Sequence, residues 1–278
     1  MPRISFFFVV FFAGLTALPA SKADTDTAAL LDAALAGAHR SEANRARDRH
    51  RHPKETLLFF GLRPDMTVIE LWPGAGGWYT EVLAPVLRER GRLIAAHFSP
   101  DAPGEYYRRN HPLYLEKLKA NPAIYDRVAV IAFQPPEQVT LGPDGSADMV
   151  LTFRNLHNWM MNDSLDEVFA AAYRVLKPGG VFGVVEHRAN EGTDPREIAK
   201  TGYVPESYVI ELARQAGFIL DAKSEINANP KDTKDHPKGV WTLPPTLRLG
   251  DTDRDKYLAI GESDRMTLRF VKPAAGHR

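Results

Sequence analysis

Val68-Ile69-Glu70-Leu71-Trp72-Pro73-Gly74-Ala75-Gly76-Gly77-Trp78-Tyr79-Thr80 reads as a strand, a glycine turn and the start of a helix, in that order. An apolar run from Met66 to Leu71 has β character, and Glu81, Val82, Leu83, Val86 and Leu87 continue the segment with helical spacing. An open α/β sheet builds its ligand crevice in this way, beyond the carboxyl end of a strand. Glycines let the backbone approach a ligand, and unpaired N–H groups at the helix start face it. Glu70, closing the strand, adds an acceptor for an ammonium or a hydroxyl. A nucleotide-like ligand is implied, although a purely structural strand-to-helix turn has the same local pattern.

Two familiar glycine signatures fail here. The dinucleotide fingerprint G-x-G-x-x-G, counted from Gly74, ends on Tyr79. The phosphate-binding P-loop needs Gly-Lys-Ser/Thr, and no Lys follows the glycines. What remains is an acidic residue followed by alternating glycines, with Trp72 standing at the first glycine position.

Outward from this segment the chain alternates strands and helices. Arg92 to Phe98 is read as the second strand, with His97 at its end. Val128 to Phe133 is the third, broken by Gln134-Pro135-Pro136, and Ala147 to Phe153 is a buried fourth. The fourth empties into a loop, Arg154-Asn155-Leu156-His157-Asn158-Trp159. A helix with apolar Leu165, Val168, Phe169, Ala172 and Leu176 stops at Lys177-Pro178-Gly179-Gly180, before a fifth strand at Val181 to Val185. Glu186-His187-Arg188 lies at that strand's exit. A helix from near Pro205, a strand over Phe218 to Ser224, a long loop over 227–251 and a last strand over Met266 to Val271 complete the order. Loops of that length in compact domains act as lids or binding loops.

The chain has 278 residues, with 35 Lys and Arg against 35 Asp and Glu, so it lacks the basic footprint of a nucleic-acid binder. It has no cysteine, which excludes disulfides, thiolate metal sites and cysteine nucleophiles. No metal set is read from the sequence: Asp232, Asp235 and His236 are read as a solvated loop, and a His50-x-His52 pair lacks a third ligand. Arg3, an apolar run from Phe6 to Leu18 and the small residues ending at Ala23 have the anatomy of a secretory signal peptide. Residues 1–23 are therefore expected to be removed, giving a secreted or periplasmic protein without stable membrane insertion. Residues 24–52 follow as a helical and basic leader, and 53–278 as the main domain. The polar, basic run from Arg40 to His52 is either a solvated face or a segment of which part folds over the ligand mouth.

Taken together, Glu70 to Gly77, the strand at Asp148 to Phe153 and Val175-Leu176-Lys177-Pro178-Gly179-Gly180 resemble the class I S-adenosylmethionine-dependent methyltransferases over residues 53 to 272. More narrowly, Glu-Leu-Trp-Pro-Gly, Phe-Arg-Asn-Leu-His-Asn-Trp, Glu-His-Arg-Ala and Gly-Glu-Ser-Asp-Arg-Met resemble a group of exported bacterial predicted methyltransferases. The resemblance implies a Rossmann-like α/β fold: a seven-stranded, mostly parallel sheet with an antiparallel last strand and helices on both faces. It implies S-adenosylmethionine as cofactor and a small-molecule acceptor of unidentified structure. It places Glu70, Pro73, Gly74, Ala75, Gly76 and Asn155 with the cofactor, His97 at its ribose, and Phe133 and Gln134 near its adenine. His157, His187 and Arg154 fall on the substrate side. His157 or His187 is then the candidate base, and Arg154 or Arg188 can hold an anionic acceptor by a two-pronged contact. The competing expectation is an exported, non-catalytic binding or scaffold protein on the same fold.

Overall fold

The computed structural model describes residues 22–274. The expected signal peptide, apart from its last two positions, lies outside the described residues. Seven strands form one sheet: β1 (Thr67–Leu71), β2 (Arg92–His97), β3 (Ala129–Ala132), β4 (Ala147–Phe153), β5 (Leu176–His187), β6 (Ile219–Ser224) and β7 (Arg265–Val271). Their spatial order is β3-β2-β1-β4-β5-β7-β6. The first five run parallel, and β7 runs antiparallel between β5 and β6. This is the sheet that the resemblance implies.

Successive residues of a strand face opposite sides of a sheet. Accordingly Ile69, Val150, Phe182 and Leu268 belong to one apolar cluster, while Val68, Met149, Leu151 and Val185 belong to the other. The first cluster packs under the helices Leu165–Val175 and Glu206–Gln215. The second packs under Pro53–Phe59, Thr80–Leu87 and Glu105–Ala120, and also under Lys22–Ala36, which contributes Leu31 and Ala34. The leader is thus continuous with the core. No helix among the described residues is long and apolar enough to cross a membrane.

Three elements differ from their sequence reading. The Lys177–Gly180 segment joins β5, because Gly179 N–H donates to the Lys272 carbonyl and Lys272 N–H donates to Gly180. The loop after β4 closes into a short helix, Leu156–Met161, after Arg154 takes a left-handed φ of 62°. The long 227–251 loop carries a 3-10 turn, Gly239–Thr242, and a further helix, Arg254–Ile260, precedes β7.

Candidate active site

The carboxyl ends of β1, β4 and β5 open onto one cavity of about 740 Å³, a size in the ordinary range for small-molecule sites. At its floor β1 ends on Glu70 and Leu71, and the chain turns through Trp72 (φ 47°), Gly74 (φ 69°) and Gly77 (φ 49°). A Cβ placed on Gly74 or Gly76 would meet nothing within 4 Å, so the turn presents bare backbone to the cavity. Glu70 lies at the cavity edge and accepts a 2.7 Å hydrogen bond from Thr80 Oγ1. Burial pushes its carboxyl up to about 7, against the opposing influence of Thr80 and Lys117.

From β4 come Arg154, Asn155 and His157. Asn155 Nδ2 donates to the Leu71 carbonyl at 3.0 Å, which ties the exits of β4 and β1 together. Left-handed backbone at a non-glycine residue is strained and persists where its surroundings fix it. Here Arg154 N–H donates to Val185 O at 2.7 Å, anchoring the turn. Burial, with Arg265 nearby, lowers the Arg154 guanidinium to about 10.

Glu186, at the end of β5, organises the two histidines. Its Oε2 accepts from Leu156 N–H at 2.6 Å, and its Oε1 accepts from His187 N–H at 2.8 Å. His157 Nδ1 lies 3.2 Å from the same Oε1. The carboxylate has only acceptors to offer, so the network puts the His157 proton on Nδ1 and leaves Nε2 with its lone pair. His187 Nδ1 is 2.5 Å from Ser263 Oγ. Burial, then Arg265 and His157, hold His187 well below the usual imidazole range. His157, Glu186 and His187 have ligand-type atoms within 4.8 Å of one another. The Glu186 oxygens and His187 Nδ1 already hold the hydrogen bonds just described, which suits a proton-handling group better than a metal site.

Of the residues singled out in the sequence, Glu70, Pro73, Gly74, Ala75, Gly76, Arg154, Asn155, His157 and His187 all line the cavity. His97, Phe133 and Gln134 do not. His97 is fully buried, with Nε2 3.3 Å from the Gly74 carbonyl, its ring stacked on Tyr114, and its imidazole lowered to about 4 by burial. Phe133 is core, and Gln134 pairs by its backbone with Gln138. Trp72 accounts for their separation. Its indole donates from Nε1 to the Phe133 carbonyl at 2.8 Å and packs among Phe98, Tyr107 and Trp159, sealing the gap between β1 and β3. Arg188 also stands apart, bound to Glu206, Glu225 and Asp264. Asp232 and His236 pair at 2.8 Å, and Asp232 accepts from Tyr203 Oη, a buried structural hub rather than the solvated loop expected.

Of the two readings of the basic run, the one that folds it over the ligand mouth is the one found, and further walls join it. Asn44, Arg47 and Arg51 reach the cavity from the leader, which therefore folds over the mouth. Trp78, Tyr79, Tyr106 and Tyr107 form an aromatic side, and Trp241, Arg248, Ser263 and Arg265 come from the chain's last third. The signal for the first group was the basic run itself, and for the last Gly261-Glu262-Ser263-Asp264-Arg265, a charged segment between apolar Leu258-Ala259-Ile260 and Met266.

Residues 118–184, from the helix Glu105–Ala120 into β5, match a family described as a methyltransferase domain. No protein of curated function matches the sequence. Among solved structures, a SAM-dependent methyltransferase from Aquifex aeolicus aligns at 17% identity and a TM-score of 0.53, over 82% of this chain and 93% of its own. Geranyl diphosphate C-methyltransferase from Streptomyces coelicolor A3(2), solved with Mg2+, geranyl diphosphate and S-adenosyl-L-homocysteine, aligns at 15% and 0.55, over 92% and 100%. The [4+2]-cyclase SpnF aligns at 17% and 0.55, over 90% and 94%. At these identities the likeness is one of fold: the chain has the Rossmann-like fold of class I methyltransferases, and that fold carries more than one chemistry.

Proposed function

We propose that this protein is an S-adenosylmethionine-dependent methyltransferase acting on a small molecule. The observation that carries the reading is the bare glycine turn after β1, which opens with Glu70 onto the same cavity as Asn155 and the His157–Glu186 pair. The residues fit the cofactor on their own chemistry. Gly74 to Gly76 leave room for close backbone approach, and Glu70 and Asn155 supply acceptors for an ammonium or hydroxyl. For a purine ring the cavity offers the aromatic faces of Tyr106, Tyr107 and Trp72, since Phe133 and Gln134 lie behind the Trp72 seal.

When bound, the cofactor supplies an electrophilic methyl whose bond to sulfur breaks as an acceptor lone pair bonds to its carbon. The protein's work is alignment, exclusion of water and removal of the acceptor's proton. His157 is the better base of the two histidines: Glu186 holds its Nδ1–H, so Nε2 can take the proton while the carboxylate steadies the resulting imidazolium. His187 has two guanidinium groups and His157 nearby, which oppose a positive charge on its ring. Calorimetric titration with S-adenosylmethionine and its demethylated product tests the reading. Binding of both is expected, and binding of neither would leave a non-catalytic binding protein on the same fold.

Export of the mature chain is part of this proposal, supported by Arg3, the Phe6–Leu18 run and Ala23. Terminal sequencing of the mature protein should find Asp24 first, and an intact Met1 would refute it.

A further inference from the structure

The cavity holds more positive charge than the protein around it neutralises. Arg47, Arg51, Arg154 and Arg265 all line it, and among the described residues Glu70 is the only acid in its wall. Behind the wall a single carboxylate, Glu262, serves three of them: Arg47 Nε at 2.6 Å, Arg51 Nε at 3.5 Å, and Arg265. The Arg154 guanidinium has no hydrogen-bond or ion-pair partner among the described residues. Arg51 is 3% exposed, yet its Nη1 meets no acceptor, and the buried Arg265 Nε is also unpartnered. With Arg248, which also lines the cavity, five cations against the Glu70, Glu186 and Glu262 carboxylates leave two in surplus, in a space where water screens them poorly. Burial and mutual repulsion show in the guanidinium groups themselves: Arg51 is pushed well below its ordinary range by burial and then by Arg154.

Such an arrangement costs free energy unless an anion completes it. Guanidinium groups present paired N–H donors that match the two oxygens of a carboxylate or phosphate. We propose that the acceptor is a small molecule carrying an oxyanion, carboxylate or phosphate, held by Arg154 together with Arg51 and Arg265 beside the His157–Glu186 base. As a statement about the acceptor this rests on the methyl-transfer reading; as a statement about an anion site it does not. The carboxylate of the cofactor's methionine half would engage one fork and leave the rest of the surplus in place.

The test is calorimetry with inorganic phosphate and, separately, malonate at fixed ionic strength, each with and without saturating S-adenosylhomocysteine. At least one probe should bind in both conditions, and the tighter of the two names the oxyanion. Arg154→Gln should weaken that binding about tenfold or more, without lowering the melting temperature in anion-free buffer, because it removes an unpaired charge. Arg154→Lys, keeping the charge and losing the fork, should fall between. Failure of both probes would overturn the site. Loss of probe binding whenever the nucleoside is bound would assign the arginines to the cofactor's own carboxylate and overturn the acceptor proposal. Phosphate or malonate binding in a protein that ignores the nucleoside would keep the anion site and remove the methyl-transfer reading instead.

Discussion

Glu70 and His97, buried on neighbouring strands, tie stability to pH in opposite directions. The Glu70 carboxyl rises from 4.5 to about 7 on folding, so across that window the folded protein holds a proton that the unfolded chain has released. Its contribution is present below 4.5 and lost as pH rises through 7. His97 falls from 6.5 to about 4, so its contribution is present above 6.5 and lost as pH falls through 4. Glu70→Gln removes the first slope only. Relative to the unmodified protein, the variant should gain about 3 kcal/mol of unfolding free energy between pH 4.5 and pH 8, read from urea denaturation at both ends. At His157 the expectation concerns rate. His157→Gln should lower transfer of a labelled methyl group into small anionic molecules by about 100- to 10,000-fold, with nucleoside binding by calorimetry unchanged. Undiminished transfer would take His157 out of the base role.

The turn after β1 gives two adjacent glycines opposite duties, and alanine separates them. Gly76 has ordinary backbone and open space where a Cβ would stand, so Gly76→Ala should hold stability within about 0.5 kcal/mol. The new methyl lines the cavity, and nucleoside affinity should fall about tenfold or more. At Gly77 the φ is 49° and a Cβ would lie 2.8 Å from the Tyr114 ring, so Gly77→Ala should cost about 1–3 kcal/mol in chemical denaturation. Elements of this kind were legible because their signals are local. The apolar runs of β1, β4 and β7 read directly from the chain, whereas the mostly parallel sheet with its antiparallel last strand came from the resemblance. The helix Leu156–Met161 was hidden, because it depends on Arg154 adopting a left-handed backbone that no local propensity favours. Arg254–Ile260 was missed within the polar stretch before β7.

At the scale of the whole molecule Glu262 is the tie: it meets Arg47 and Arg51 of the leader, 215 and 211 residues away, and Arg265 at the start of β7. Glu262→Gln should destabilise the protein by about 3–5 kcal/mol, measured by denaturant unfolding, and phosphate should restore more stability to the variant than it adds to the unmodified protein. This distance also explains which parts of the site were legible. Residues at the ends of β1, β4 and β5 could be grouped, because a parallel sheet gathers its strand exits along one edge. The arginine wall could not, since nothing local says that position 51 meets position 265. Nor could the sequence say that Trp72 would turn its ring towards Phe133 and leave His97, Phe133 and Gln134 behind it. One wall of the cavity joins Arg47 and Arg51 of the leader to Arg265, through the Glu262 carboxylate they share, with Ser263 also lining the cavity. A polypeptide still being synthesised, or cut short before position 262, thus lacks the receptor altogether, and ligand capture becomes a property that only the finished chain acquires.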